Sequence, residues 1–191
     1  TIYTSRQPQL LEPILENFSE ETGIKVNLLS GNAQELMERI AIEDNESMAD
    51  IFMTVDAGVL WQAAERGIFS QTKSEVLEAN VPSYLRDPNG QWFGFSKRAR
   101  TIVYSSDQYS KSDFSSYEDL ADPKWKGKLC LRTSKKVYNR SLIASMIDAY
   151  GFDKAKEVVA GWVANLTTEV FANDTNALKA VSSGQCGVTI V

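Results

Sequence analysis

The 191 residues carry 43% apolar and 24% charged side chains, an ordinary globular composition, and a formal net charge of −5. That balance excludes the broad basic face of a nucleic-acid-binding protein, and no apolar run approaches the ~20 residues of a membrane span. Histidine is absent, which excludes His-based acid–base catalysis, the Ser-His-Asp triad and His-ligated zinc, so any metal bound here needs oxygen or sulfur donors.

Strands and helices alternate from the N-terminus. Ile2-Tyr3-Thr4 reads as a short strand. Gln9 to Glu21 reads as a helix with Leu11, Ile14, Leu15 and Phe18 on one face, Pro8 near its start and Gly23 just past its end. Ile24, Val26 and Leu28 alternate with polar residues as in a strand. Asn32 caps a helix bearing Leu36 and Ile40. Ala49 to Thr54 is an apolar strand, and Asp56 caps a helix that stops at Gly67. This order argues for an α/β domain with a mainly parallel sheet. Val81 to Ser96 is rich in proline and glycine, with Trp92, Phe93 and Phe95 as buried anchors.

A second series follows. Thr101 to Ser105 is a strand, Tyr117 to Leu120 a helical segment, Pro123 a turn and Lys128 to Arg132 a strand. Helices are predicted over Ser141–Tyr150, over Asp153–Asn165 with Val158, Val159, Trp162 and Val163 inward, and over Asp174–Ser182. Gly187 to Val191 closes the series as an apolar strand. The expected division is a first α/β lobe over 1–96, a hinge over 97–104 and a second lobe over 105–191. Clefts at such junctions are the usual ligand sites. The pattern ends inside a strand and reads as the front of a longer chain. Thr1-Ile2-Tyr3-Thr4 has no signal-peptide pattern, so the chain is either cytosolic or has lost a leader. Cys130 and Cys186 show no CxxC spacing and are either a structural disulfide or two buried thiols.

No GxSxG elbow, P-loop or GxGxxG fingerprint is present, which argues against an enzyme. Several stretches are specific in another way. "IYTSRQP", "ADIFMTVDAGVLWQAAERGIF", "WFGFSKRARTIVYS", "KVYNRSLIASMI" and "GQCGVTIV" resemble the periplasmic ferric-ion-binding proteins of bacterial ABC importers. The resemblance runs through essentially the whole chain. It implies a type II periplasmic-binding-protein fold of two α/β lobes, here truncated at the C-terminal side. It also implies Fe(III) held in the cleft by tyrosine phenolates with a carbonate-like anion, a periplasmic monomer whose signal peptide has been removed, and an ABC-transporter membrane permease as partner.

Residue by residue, Tyr138 in "KVYNRS" matches one of the family's three tyrosine ligands, and Arg100 in "RAR" matches its anion-binding arginine. The other two tyrosines are implied as an adjacent pair beyond Val191. Gln7 and Pro8 stand where many relatives carry His or Tyr, and Val55, one step before Asp56, stands where some carry an acid. The subgroup lacking these ligands completes the shell with carbonate or water, and this sequence resembles that subgroup. Ser5, Arg6, Gln7 and Asn139 are candidate cleft-lining residues.

The chemistry suits the residues. A phenol ordinarily titrates near ~10, so Fe(III) must displace its proton. A helix start favours the resulting anion, as do the cations of Arg132, Lys135, Lys136 and Arg140 nearby. Of Arg98 and Arg100, two apart and on one side of a strand, one is assigned to the anion. The alternative reading is a binding protein for an organic or phosphorylated anion on the same fold.

Overall fold

The computed structural model describes residues 1–191. The chain divides into two compact units, Thr1–Lys97 and Arg98–Val191.

In the first unit, β1 (Ile2–Thr4) lies between β2 (Leu28–Ser30) and β3 (Ile51–Met53), parallel to both, with Tyr3 opposite Leu29 and Phe52. All of β1 is buried, as expected of a central parallel strand covered on both faces. The helices are α1 (Glu12–Thr22), α2 (Ala33–Glu43), α3 (Ala57–Glu65) and the short α4 (Glu75–Asn80), which sequence patterning did not single out. Asn32 caps α2 by accepting from the Gln34 N–H at 2.9 Å, and Asp56 caps α3 by accepting from Gly58 at 2.8 Å. The core is Tyr3, Leu36, Met37, Phe52 and Ala63.

The apolar face that patterning gives α1 is buried only at Leu11: Ile14 is 66% exposed and Phe18 42%, because periodicity marks a face without supplying what covers it. Two expectations change here. The predicted strand from Ile24 begins only at Leu28, and Ile24 is itself exposed. Phe95 is exposed rather than an anchor, while Trp92 and Phe93 are half-buried.

In the second unit, β6 (Val188–Ile190) is the buried centre of a mixed sheet, antiparallel to β4 (Ile102–Tyr104) and parallel to β5 (Leu129–Cys130). Around it pack α5 (Val137–Tyr150), α6 (Phe152–Ala164) and α7 (Asp174–Ser182). Trp125, Leu129, Leu142, Met146, Val158, Trp162 and Ile190 form the core. Tyr104 stacks on Phe114, and Phe114 on Trp125, at centroid distances of 4.8 and 4.9 Å. Helix α6 approaches the 3-10 turn over Glu118–Ala121 so closely that a Cβ on Gly161 would lie 2.5 Å from that of Ala121. Asn165 closes this contact by donating to the carbonyls of Leu120 and Asp122. Val163, expected inward, is 60% exposed: Val158 and Trp162 take the inner face of α6, and Val163 falls beside it.

Cys130 and Cys186 form a disulfide that ties β5 to the segment preceding β6, a separation of 56 residues. The two-thiol alternative is thereby excluded.

Candidate metal centre

The second unit builds a cationic cluster around one phenol. Residues 131–136 link β5 to α5, whose first residue is Val137, four positions earlier than patterning suggested. Tyr138 therefore sits within the first helical turn, where the unpaired N–H groups carry partial positive charge. The turn is pinned by Asn139, buried, whose Nδ2 donates to the Arg132 carbonyl at 2.7 Å. The Arg132 segment is held in turn by Phe171, which accepts from the Thr133 N–H at 2.7 Å.

Two guanidiniums lie over the Tyr138 ring: Arg98 at 4.9 Å and Arg132 at 4.8 Å from its centre. Arg132 also donates through Nη1 to Asp174 Oδ2 at 2.6 Å. The same carboxylate takes Arg100 Nη2 on Oδ1 at 2.8 Å and Arg100 Nη1 on Oδ2 at 3.5 Å. Arg100 Nη2 donates further to the Ile190 carbonyl on β6 at 2.6 Å.

Burial works against ionising Asp174, but the hydrogen bond from Arg100 and the charges of Arg100 and Arg132 outweigh it and hold the carboxyl below the usual carboxylate range. Arg100 and Arg132 are buried and each leaves its Nε without a partner, as Asn139 leaves its Oδ1. Arg98, Arg100 and Arg132 against the one carboxylate of Asp174 leave a cationic surplus, and two of these guanidiniums lie against the Tyr138 ring. Such a surplus suits a bound anion.

The structure thus gathers Tyr138, Asn139, Arg98, Arg100 and Arg132. Of the matched anion-site arginine, both Nη atoms are already engaged. Lys135, Lys136 and Arg140 are exposed on the same stretch. In the first unit, Ser5, Arg6 and Gln7 follow β1. The Ser5 N–H donates to Met53 O and that of Arg6 to Thr4 Oγ1, both at 3.0 Å, while Gln7 Oε1 accepts from Gln9. Ser5 Oγ is buried without a partner.

Sequence reasoning missed Asp174. It lies 74 residues from Arg100 and 42 from Arg132, and an acid in a helix's first turn is unremarked by any pattern.

Comparison with known proteins gives a consistent result. Iron uptake protein A1 of Synechocystis is 47% identical over 99% of this chain and 52% of its own length. A solved structure of Trichodesmium IdiA (FutA) in complex with iron and citrate is 44% identical, with a TM-score of 0.91 over the whole of this chain and 60% of that one. The ferric binding protein of Campylobacter jejuni is 35% identical, with a TM-score of 0.93 and the same coverage. The chain spans about half the length of the curated relatives it matches. No helix is long and apolar enough to cross a membrane. Residues 46–191 match the family described as bacterial extracellular solute-binding protein, and the chain belongs to that family.

Proposed function

We propose that this chain captures ferric iron for an ABC importer and that Tyr138 supplies one phenolate of the iron shell. The observation that carries the reading is the Tyr138 ring in the first turn of α5 with two guanidiniums within 5 Å of its centre. Fe(III) is a hard cation that takes phenolate oxygen. The guanidiniums of Arg98 and Arg132 beside the ring add counter-charge for the anionic donors that Fe(III) requires. The relatives support the choice of metal, since their names refer to iron uptake and ferric binding.

A carbonate-like anion completes the shell. The sequence resemblance assigns it to Arg100. Arg98 is better placed, because it is exposed beside the ring while the Nη atoms of Arg100 are engaged by Asp174 and Ile190. The protein works in the periplasm after loss of a signal peptide, hands its iron to a membrane permease and catalyses no reaction.

The test is optical. The protein carrying these residues, loaded with Fe(III), is coloured by phenolate-to-iron charge transfer, and Tyr138→Phe weakens or shifts that band. An unchanged band removes Tyr138 from the shell. Titration calorimetry separates this reading from capture of an organic anion: ferric citrate binds and sugar phosphates do not. Affinity falls with pH, because protons compete for the same oxygens.

A further inference from the structure

The geometry points to Asp174 as a positioning residue of the iron site: its carboxylate holds the Arg132 guanidinium against the Tyr138 ring and so fixes the direction of the phenol. The inference rests on the reading of Tyr138 as an iron ligand.

Four links carry it. The Ile190 carbonyl, on the buried central strand β6, accepts from Arg100 at 2.6 Å. Arg100 donates to Asp174 at 2.8 Å, and Asp174 accepts from Arg132 at 2.6 Å. Arg132 then lies 4.8 Å from the Tyr138 ring centre. Asp174 is itself fixed at the first position of α7, whose cap, Asn173, accepts from the Asn176 N–H at 2.9 Å.

The buried Arg132 Nε has no partner. The Nη1 bond to Asp174 is therefore what restrains the guanidinium, and without the carboxylate two buried cations would lose their shared counter-charge. A planar, forked guanidinium transmits orientation where a point charge would not. The phenol is then directed from the sheet, through Arg100, Asp174 and Arg132.

Supporting residues behind a metal ligand typically change affinity ten- to a hundred-fold when altered. In the protein carrying these residues, Asp174→Asn is expected to weaken Fe(III) binding by about that factor in competition with citrate and to shift the charge-transfer band. Asp174→Glu is expected to recover part of both. In the metal-free protein, the Arg132 Nε–H resonance carries a ring-current shift from Tyr138, and Asp174→Asn is expected to abolish it.

A lower melting temperature with unchanged band and affinity overturns the proposal, since Asp174 would then be structural only. So does an Arg132 resonance that stays in place. Tyr138→Phe run alongside keeps the two readings apart: an unchanged band in that variant removes the ferric role of Tyr138, and with it the iron role of Asp174. Should Asp174→Asn fail to fold, Arg132→Lys keeps a charge for Asp174 but loses the plane over the ring. It is expected to lose the same affinity, and wild-type binding by it overturns the proposal.

Discussion

The two units bury their helices differently. In the second, β6 is wholly buried, two tryptophans are in the core, a disulfide ties β5 to the segment preceding β6 and two buried arginines share one carboxylate. In the first, α1 contributes no buried residue, and Ile14, Phe18, Ile24 and Ile51 are exposed. Both have a three-stranded sheet and flanking helices. The difference teaches that an amphipathic helix is stabilised by what lies against it, since its own propensity contributes little. Tyr138 lies in the unit with the larger buried core.

The sharpest way to break this contrast is to truncate one aromatic in each unit. Trp162→Ala removes a side chain that is 3% exposed and the hydrogen bond from its Nε1 to Tyr117 O. It is expected to cost about 3–5 kcal/mol in urea unfolding. Phe18→Ala, on the open face of α1, is expected to cost under about 0.5 kcal/mol. A Phe18 cost near that of Trp162 would mean that α1 is covered after all.

Reduction of Cys130–Cys186 opens a 56-residue separation and is expected to remove about 4 kcal/mol from the second unit in the chain-entropy model, within a wide measured range. Melting with and without reductant checks this, and the first unit should be unmoved.

Acid acts on both units, since the carboxyls of Glu38 and Glu43 in the first are held low by hydrogen bonds from Arg66 and Arg39; those of the second differ in their partners. The Asp174 carboxyl is held low by its arginines despite burial, and that of Asp119 by the Ser115 hydroxyl and the N–H groups of Ser115 and Ser116. Because their folded pKa values lie below the unfolded ones, the stability they contribute is present above the ordinary carboxylate range. It is lost as pH falls through the folded values. The second unit is expected to hold steady above pH ~5 and to weaken below ~4, and Asp174→Asn should flatten the acid limb of its melting curve.

The smallest effect expected of a working contact is in the first unit. Asn32→Ala, which frees the Gln34 N–H at the start of α2, is expected to cost about 1 kcal/mol.

Much of this organisation was legible in the chain. The strands at Ile2–Thr4, Ile102–Tyr104 and Val188–Ile190, the Asn32 and Asp56 caps and the helix at Asp174 all follow from local composition and periodicity. The exposure of Ile14, Phe18 and Val163 did not follow. A face of a helix is a local property, whereas its cover comes from residues elsewhere in the sequence. The antiparallel pairing of β4 with β6 was equally hidden, since strand direction in a sheet depends on the path taken between them.

The sequence by itself determined the absence of histidine, the oxygen and sulfur donors left to a metal site, the phenol at Tyr138 and the arginines around it. That Arg98 and Arg132 are the arginines against the Tyr138 ring, that the two cysteines are joined, and that Asp174 holds Arg100 and Arg132 together emerge only in the folded chain. The physical reason is range. Propensity, capping and periodicity act over a few residues, whereas a charge pairs with whatever the fold brings within about 3 Å of it, 42 or 74 positions away.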